Sequence, residues 1–456
     1  MTATSTKHGD RVGPPRGFSR MRSAAGRRWL GRSRTVLVAC ACALLIAGIA
    51  PSGTAVAEAH RFRANPSEVL AWNQIAVRTE LASNTTIQEG IIHLAYVQAA
   101  VFDAVDALDG GFRPYTGDLH ARGRTDGDAA VAAAAHRILV TQYPAQASSL
   151  DADYATALAA IRNGLAKTRG IALGEHAAAD LLDARANDGL YANVPYTFGS
   201  GPGVWVLPTD NPATTPATPW VAKMRPFIMR ANDQFRPGPP PPLTSADYTA
   251  AYNETRDYGS ATSTVRTPAE TVTALFWGLG RPDAQYNEGM RGIVTSAGMD
   301  RVRAARALAL TNLVASDAYI ACFDAKYTYS FWRPYTAIRA GDSDGNPATI
   351  ADPTWTPLVR TPNHPEYPAN HGCVTSSFAT LIDHLLGPDN FSLTVNGFPA
   401  SAELRHYTSS SQLKTEIANV RVWDGVHFRF SVNVGIRMGT AVANYDVRHG
   451  LQQDDD

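Results

Sequence analysis

Thr361-Pro362-Asn363-His364-Pro365-Glu366-Tyr367-Pro368-Ala369-Asn370-His371-Gly372 runs straight into an apolar, small-residue segment, Cys373 to Leu386. The three prolines of the first stretch fix φ and forbid a regular helix. The segment after it reads as a helix. A stiff loop that feeds a helix N-terminus is a natural anion site, because the first-turn N–H groups are free and the helix dipole adds to their field. His371 stands at that junction.

The surrounding pattern is overwhelmingly helical. Apolar residues from Ile91 to Leu108 recur at helical spacing. Asp128–Val140, Leu150–Gly164 and Gly170–Asn187 read the same way, and so do Ser245–Tyr258, Pro268–Leu279, Ala284–Ala297 and Asp300–Cys322. Helical stretches between Ala400 and Val420 and a last helix from His427 to Tyr445 complete the set. No alternating β-branched run competes with them. The expected fold is all-α, a helical bundle with long ordered loops. Residues 196–243 break the pattern with Gly199-Ser200-Gly201-Pro202-Gly203 and Pro237-Gly238-Pro239-Pro240-Pro241-Pro242. Trp205, Trp220, Phe227, Met229 and Phe235 lie in this segment, and a flexible linker needs no such residues. It reads as an ordered excursion wrapping the helical body and lining the mouth of a site.

The chain has 456 residues, with 41 basic and 41 acidic side chains. The balance is uneven. Lys7, Arg11, Arg16, Arg20, Arg22, Arg27, Arg28, Arg32 and Arg34 face only Asp10 in residues 1–34. An uncharged apolar run, Thr35 to Ala50, follows, then Ala55-Val56-Ala57. This is the layout of an export signal over residues 1–57, and Arg27-Arg28 suggests the twin-arginine route. The run is short for a membrane span of about 20 residues. Cleavage is therefore expected, leaving a secreted, extracellular chain with no stable membrane insertion. The remaining residues, 58–456, read as one helical domain whose catalytic core spans 301–445. That domain is net acidic, so nucleic acid loses its electrostatic support as a partner. Cys322 and Cys373 stay with it, and an oxidising compartment leaves both a disulfide and two buried thiols open.

Three segments carry chemistry. In Lys326-Tyr327-Thr328-Tyr329-Ser330-Phe331-Trp332-Arg333-Pro334 the two cations are seven residues apart. On one helix they would point the same way, two turns apart, with Pro334 ending the helix. The second segment is the opening loop with His371. The third is Arg421-Val422-Trp423-Asp424-Gly425-Val426-His427, where the Arg offers a bidentate oxyanion fork and the His a lone pair. Each alone is more often structural. Together, Lys326, Arg333, His371, Arg421 and His427 describe a pocket of three cations and two imidazoles for a compact tetrahedral oxyanion.

The arrangement resembles the vanadium-dependent haloperoxidases and the wider superfamily they share with type-2 phosphatidic acid phosphatases and bacterial acid phosphatases. That superfamily carries Lys-x6-Arg-Pro, Pro-Ser-Gly-His and Ser-Arg-x5-His. Lys326 to Pro334 fits the first, Pro368 to His371 fits the second with Ala369-Asn370 in place of Ser-Gly, and Arg421 to His427 fits the third with Val420 in place of Ser. The resemblance implies a haloperoxidase/acid-phosphatase-like fold and bound vanadate, with no haem. Lys326, Arg333, Arg421 and Asn370 would bind its oxygens, His427 would ligate vanadium, and His371 would exchange protons. Hydrogen peroxide, halide and an organic acceptor would be the substrates. His364, seven residues before His371, tilts the halide toward bromide or iodide. Two alternatives stay open: a secreted acid phosphatase that attacks a phosphomonoester through His427, and a degenerate oxyanion-binding protein. The sequence leaves the oligomeric state undecided.

Overall fold

A computed structural model describes residues 64–397 and 402–454. The export signal expected over residues 1–57 lies outside the described residues. In chain order the helices are α1 (Ser67–Ala82), α2 (Ile87–Asp109), α3 (Gly127–Gln142), α4 (Ala147–Ala160) and α5 (Leu165–Ala184). They continue with α6 (Ala246–Gly259), α7 (Pro268–Gly278), α8 (Pro282–Ser296), α9 (Arg301–Tyr329), α10 (Pro334–Arg339) and α11 (Asn370–Leu386). A small hairpin, β1 (Leu393–Asn396) and β2 (Leu404–Tyr407), precedes α12 (Ser410–Trp423) and α13 (Arg429–His449). The fold is all-α. β2 corrects the expectation of helix over Leu404–Tyr407. Its strands pair antiparallel with Leu393 opposite Tyr407, and both of these side chains are buried.

α9 is the axis. From Ala304 to Lys326 nearly every residue is buried, as expected of a helix that is packed on all sides. α2 lies along it and is buried for most of its length. Its start is set by Thr86 and Glu89, which form a reciprocal capping box. α11 and α13 also pack on α9 and on each other. Their approach depends on missing side chains. A Cβ at Gly439 would stand 1.8 Å from the Cys373 carbonyl oxygen, and one at Gly372 would stand 2.8 Å from that of Val432. Glycine lets the two backbones touch, which holds the start of α11 against the start of α13.

Residues 196–243 pack over the helical body. Trp205, Trp220, Phe227 and Met229 are buried. The backbone N–H groups of Phe227, Ile228 and Met229 all donate to the Asp317 carboxylate, buried on α9. Trp205 N–H donates to the Ser330 carbonyl, and Tyr367 Oη donates to the Gly238 carbonyl. The excursion is thus bonded to two of the three chemistry-bearing segments. A second aromatic cluster, including Tyr248, Tyr252, Phe331, Trp332, Tyr367 and Phe428, packs beneath them.

Candidate active site

α9 does not run on to Arg333. It ends at Tyr329, where Ser330 takes left-handed angles (φ 45°, ψ 45°) and donates its N–H to the Lys326 carbonyl. Arg333 is the N-cap residue of α10, and Pro334 opens that helix. This corrects the expected single helical face ended by proline: proline is favoured in a first turn, where its missing N–H costs nothing. The two cations still converge, because the chain reverses between them. The Lys326 ammonium donates to the carbonyls of Pro365 (2.8 Å) and Glu366 (2.9 Å). Arg333 donates from Nε to the His364 carbonyl (2.9 Å) and from Nη1 to the Val426 carbonyl (2.7 Å). Arg333 Nη1 also lies 3.1 Å from His427 Nε2. One guanidinium therefore links the opening loop to the segment before α13.

α11 begins at Asn370, with Ala369 as its N-cap residue and no side-chain cap. The free first-turn N–H groups expected of this junction are present, and His371 is the second residue of the helix. The residue is half-buried, and its Nε2 is sealed off without a partner. Burial and the Arg421 charge hold His371 well below the ordinary imidazole range, against a hydrogen bond with the Trp277 backbone. The ring is therefore neutral and able to accept a proton. Asn370 is buried, and its Oδ1 accepts the Cys322 thiol (3.0 Å), so its NH2 group is the part left to donate. Cys322 and Cys373 are brought together, with their sulfurs 2.9 Å apart, and stand as free thiols.

His364 is inside the site. It is 5% exposed, faces Arg333 Nη2 through Nδ1 at 3.0 Å and tilts against the Phe323 ring. Burial, with Lys326 and Arg333 adjacent, holds it well below its usual range.

Two carboxylates were not singled out from the sequence. Glu366 is fully buried, and its Oε1 accepts both the His427 Nδ1–H (2.8 Å) and the Phe428 N–H (3.0 Å). Asp424 is fully buried and pairs with Arg421. Burial pushes both carboxyls up to about 7, against the pull of neighbouring cations. Burial also lowers Lys326 to about 7 and Arg333 to about 9. The pocket is therefore not the set of three uncompensated cations that the motifs suggested. Both acids lie inside those motifs, and the available signal was a negative charge in an otherwise cationic pattern.

The arrangement fits an oxyanion. Arg421 Nε and His371 Nε2 are buried and unpartnered, one a donor and the other able to exchange a proton. Among the described residues no cluster of three or more His, Cys, Asp or Glu side chains is arranged for a metal cation.

Comparison with known proteins agrees with this chemistry. Residues 306–453 match the family described as the VCPO second helical-bundle domain. The vanadium chloroperoxidase of Curvularia inaequalis is 26% identical over 313 residues, which span 52% of this chain and 51% of that protein. The match thus spans about half the length of that relative. A bacterial vanadium-dependent iodoperoxidase superposes with a TM-score of 0.73 at 22% identity, covering 86% of this chain and 98% of that one. A bacterial vanadium-dependent chloroperoxidase in its holo form gives 0.63 at 18% identity, covering 79% and 92%.

Proposed function

We propose that this chain, which resembles the vanadium-dependent haloperoxidases in its matched domain and fold, oxidises halide with hydrogen peroxide, using vanadate held between α9, α11 and α13. The observation that supports this most is the state of His427. Its Nδ1 is engaged by Glu366, and its Nε2 lone pair faces the cationic side of the pocket. Burial and the charges of Arg333, Lys326 and Arg421 hold the ring well below its ordinary range, so it is neutral and can coordinate. Bound vanadate supplies Lewis-acid activation of peroxide toward a halide ion.

The protein's residues do the rest. Lys326, Arg333 and Arg421 would hold the oxygens of the bound oxyanion, with the α11 first-turn N–H groups and the Asn370 amide beside them. Neutral His371, its Nε2 unpaired, would be the group that accepts a proton from peroxide and gives it back in the proton exchange of the reaction. The buried setting excludes water and strengthens each of these contacts. His364, against Arg333 and Phe323, supplies a polar imidazole within the site, and on this reading bromide or iodide is favoured over chloride. The basic and apolar layout of residues 1–57 supports action outside the cell.

The test is halogenation of a phenolic dye by protein incubated with orthovanadate, with peroxide and iodide, bromide or chloride in parallel. Activity with iodide and bromide that His427→Ala abolishes is expected. No oxidation above buffer between about pH 4 and 8, with vanadate-inhibited hydrolysis of an aryl phosphate in its place, would overturn the proposal.

A further inference from the structure

Glu366 meets all three chemistry-bearing segments at once. Its carbonyl accepts the Lys326 ammonium at 2.9 Å and the Ser431 hydroxyl at 3.4 Å. Its Oε1 accepts the Phe428 N–H at the start of α13 and the His427 Nδ1–H. The backbone on either side is pinned too: Glu366 N–H donates to the Phe331 carbonyl at 2.9 Å, and Ala369 N–H donates to that of Ser431 at 3.2 Å. The side chain therefore cannot swing away without dragging the loop. Glu366 is 0% exposed, so water does not compete for Oε1.

The geometry points to Glu366 as the residue that positions His427, fixing its neutral tautomer with the proton on Nδ1 and the lone pair on Nε2. Two contacts on opposite sides of the ring require this tautomer. Oε1 already accepts a backbone N–H, so it is the unprotonated oxygen of the carboxyl whether or not Oε2 carries a proton, and it offers the ring only acceptor capacity. On the far side Arg333 Nη1 is a donor with no acceptor capacity, so Nε2 must be the accepting atom. The opposite tautomer would set a lone pair against Oε1 and an N–H against a guanidinium. A carboxylate behind a ligating imidazole fixes ring orientation and raises ligand basicity. The same carboxylate also accepts the N–H of Phe428, the N-cap residue of α13, at a helix end where negative charge is favoured. A single acid thus sets both where His427 sits and which nitrogen it presents.

The tautomer follows from the contacts alone, whereas its consequence for vanadate rests on the proposed function. The experiment keeps the two apart. Protein with 15N-labelled histidine is examined by long-range 1H–15N NMR without vanadate, as wild type, Glu366→Gln and Glu366→Leu. The His427 resonances are assigned by their loss in His427→Asn. Wild type is expected to show the Nδ1–H form. Gln places its amide oxygen where Oε1 stands and retains that form. Leu loses it, giving mixed or Nε2–H tautomers. Equilibrium dialysis with orthovanadate then reads the consequence: about 10–100-fold weaker binding for Leu, with Gln much closer to wild type. A purely structural role would lower the melting temperature of both variants and leave the tautomer in place. An unchanged Nδ1–H form in folded Glu366→Leu, or a wild type dominated by Nε2–H, overturns the assignment. A wild type that shows the Nδ1–H form yet binds no vanadate overturns the proposed function and leaves the positioning of His427 standing.

Discussion

Asp424→Asn should tighten oxyanion binding, and the size of the gain follows from the pocket's charges. Asp424 pairs with Arg421 across one turn, with side-chain exposures of 0% and 4%. An oxyanion held on the far edge of the same guanidinium would stand roughly 6–8 Å from that carboxylate. At an effective dielectric near 20, the repulsion is about 2 kcal/mol, or about thirtyfold in affinity. Asn has nearly the same shape, and its amide oxygen can still accept from Arg421, so the guanidinium stays aimed. The gain depends on ionisation, because burial holds Asp424 up to about 7. It should be near its full value at pH 8 and largely gone at pH 5, where the wild-type carboxyl is already neutral. Titration calorimetry with phosphate and dialysis with vanadate, at both pH values, measure it. Circular dichroism establishes that the variant is folded. Equal or weaker binding by folded Asp424→Asn at pH 8 would refute the charge argument and make Asp424 an aligner of Arg421 instead.

Ala369→Ser supplies an N-cap hydroxyl to an α11 that has none, and should raise the melting temperature by an amount equivalent to about 1 kcal/mol. An unaltered vanadate affinity in that variant would contradict the placement of this loop against the oxyanion. Gly439→Ala puts a Cβ where the Cys373 carbonyl stands, forcing α11 and α13 apart at a cost of about 1–3 kcal/mol. Thermal unfolding should show that loss, and vanadate binding should fall with it as the two helix starts separate. His364, His371 and His427 all lie below the ordinary imidazole value in the folded chain. The unfolded chain therefore binds more protons below about pH 6.5, and their contribution is complete above that pH and lost as pH falls. His371→Asn should flatten the acid limb of a stability–pH curve by up to about 1.4 kcal/mol per pH unit.

The helices were legible because their apolar spacing is long and regular, and motif spacing singled out Lys326, Arg333, His371, Arg421 and His427 as candidates. The path of the backbone between them was not. Seven residues from Lys326 to Arg333 fit two turns of one helix as well as a helix end followed by a new N-cap. Pro334 is compatible with both, and the deciding left-handed angles belong to Ser330, not to a glycine. β1 and β2 escaped because four-residue strands such as Leu393-Thr394-Val395-Asn396 carry too little alternation to outweigh their helical neighbours. α1 escaped although its residues are ordinary helix formers, since its buried face mixes Val69, Trp72, Asn73 and Glu80. Glu366 and Asp424 escaped for a different reason. A search for an oxyanion site counts positive charges, and carboxylates read as noise.

Those two carboxylates explain how such a pocket can fold before its ligand arrives. Lys326 and Arg333 are fully buried and Arg421 nearly so. Burying an unpaired charge costs several kcal/mol. Asp424 on Arg421, and Glu366 beside Lys326 and Arg333, offset part of that cost, and backbone carbonyls satisfy most of the remaining donors. The compensation is local and incomplete: Arg421 Nε and His371 Nε2 stay unpaired. Under the proposed function, an arriving oxyanion would meet a preformed cradle whose attraction these carboxylates reduce, and the absence of a hydroxyl at Ala369 would reduce it further. Oxyanion binding should then stabilise the fold in proportion to the logarithm of the ratio of its concentration to Kd.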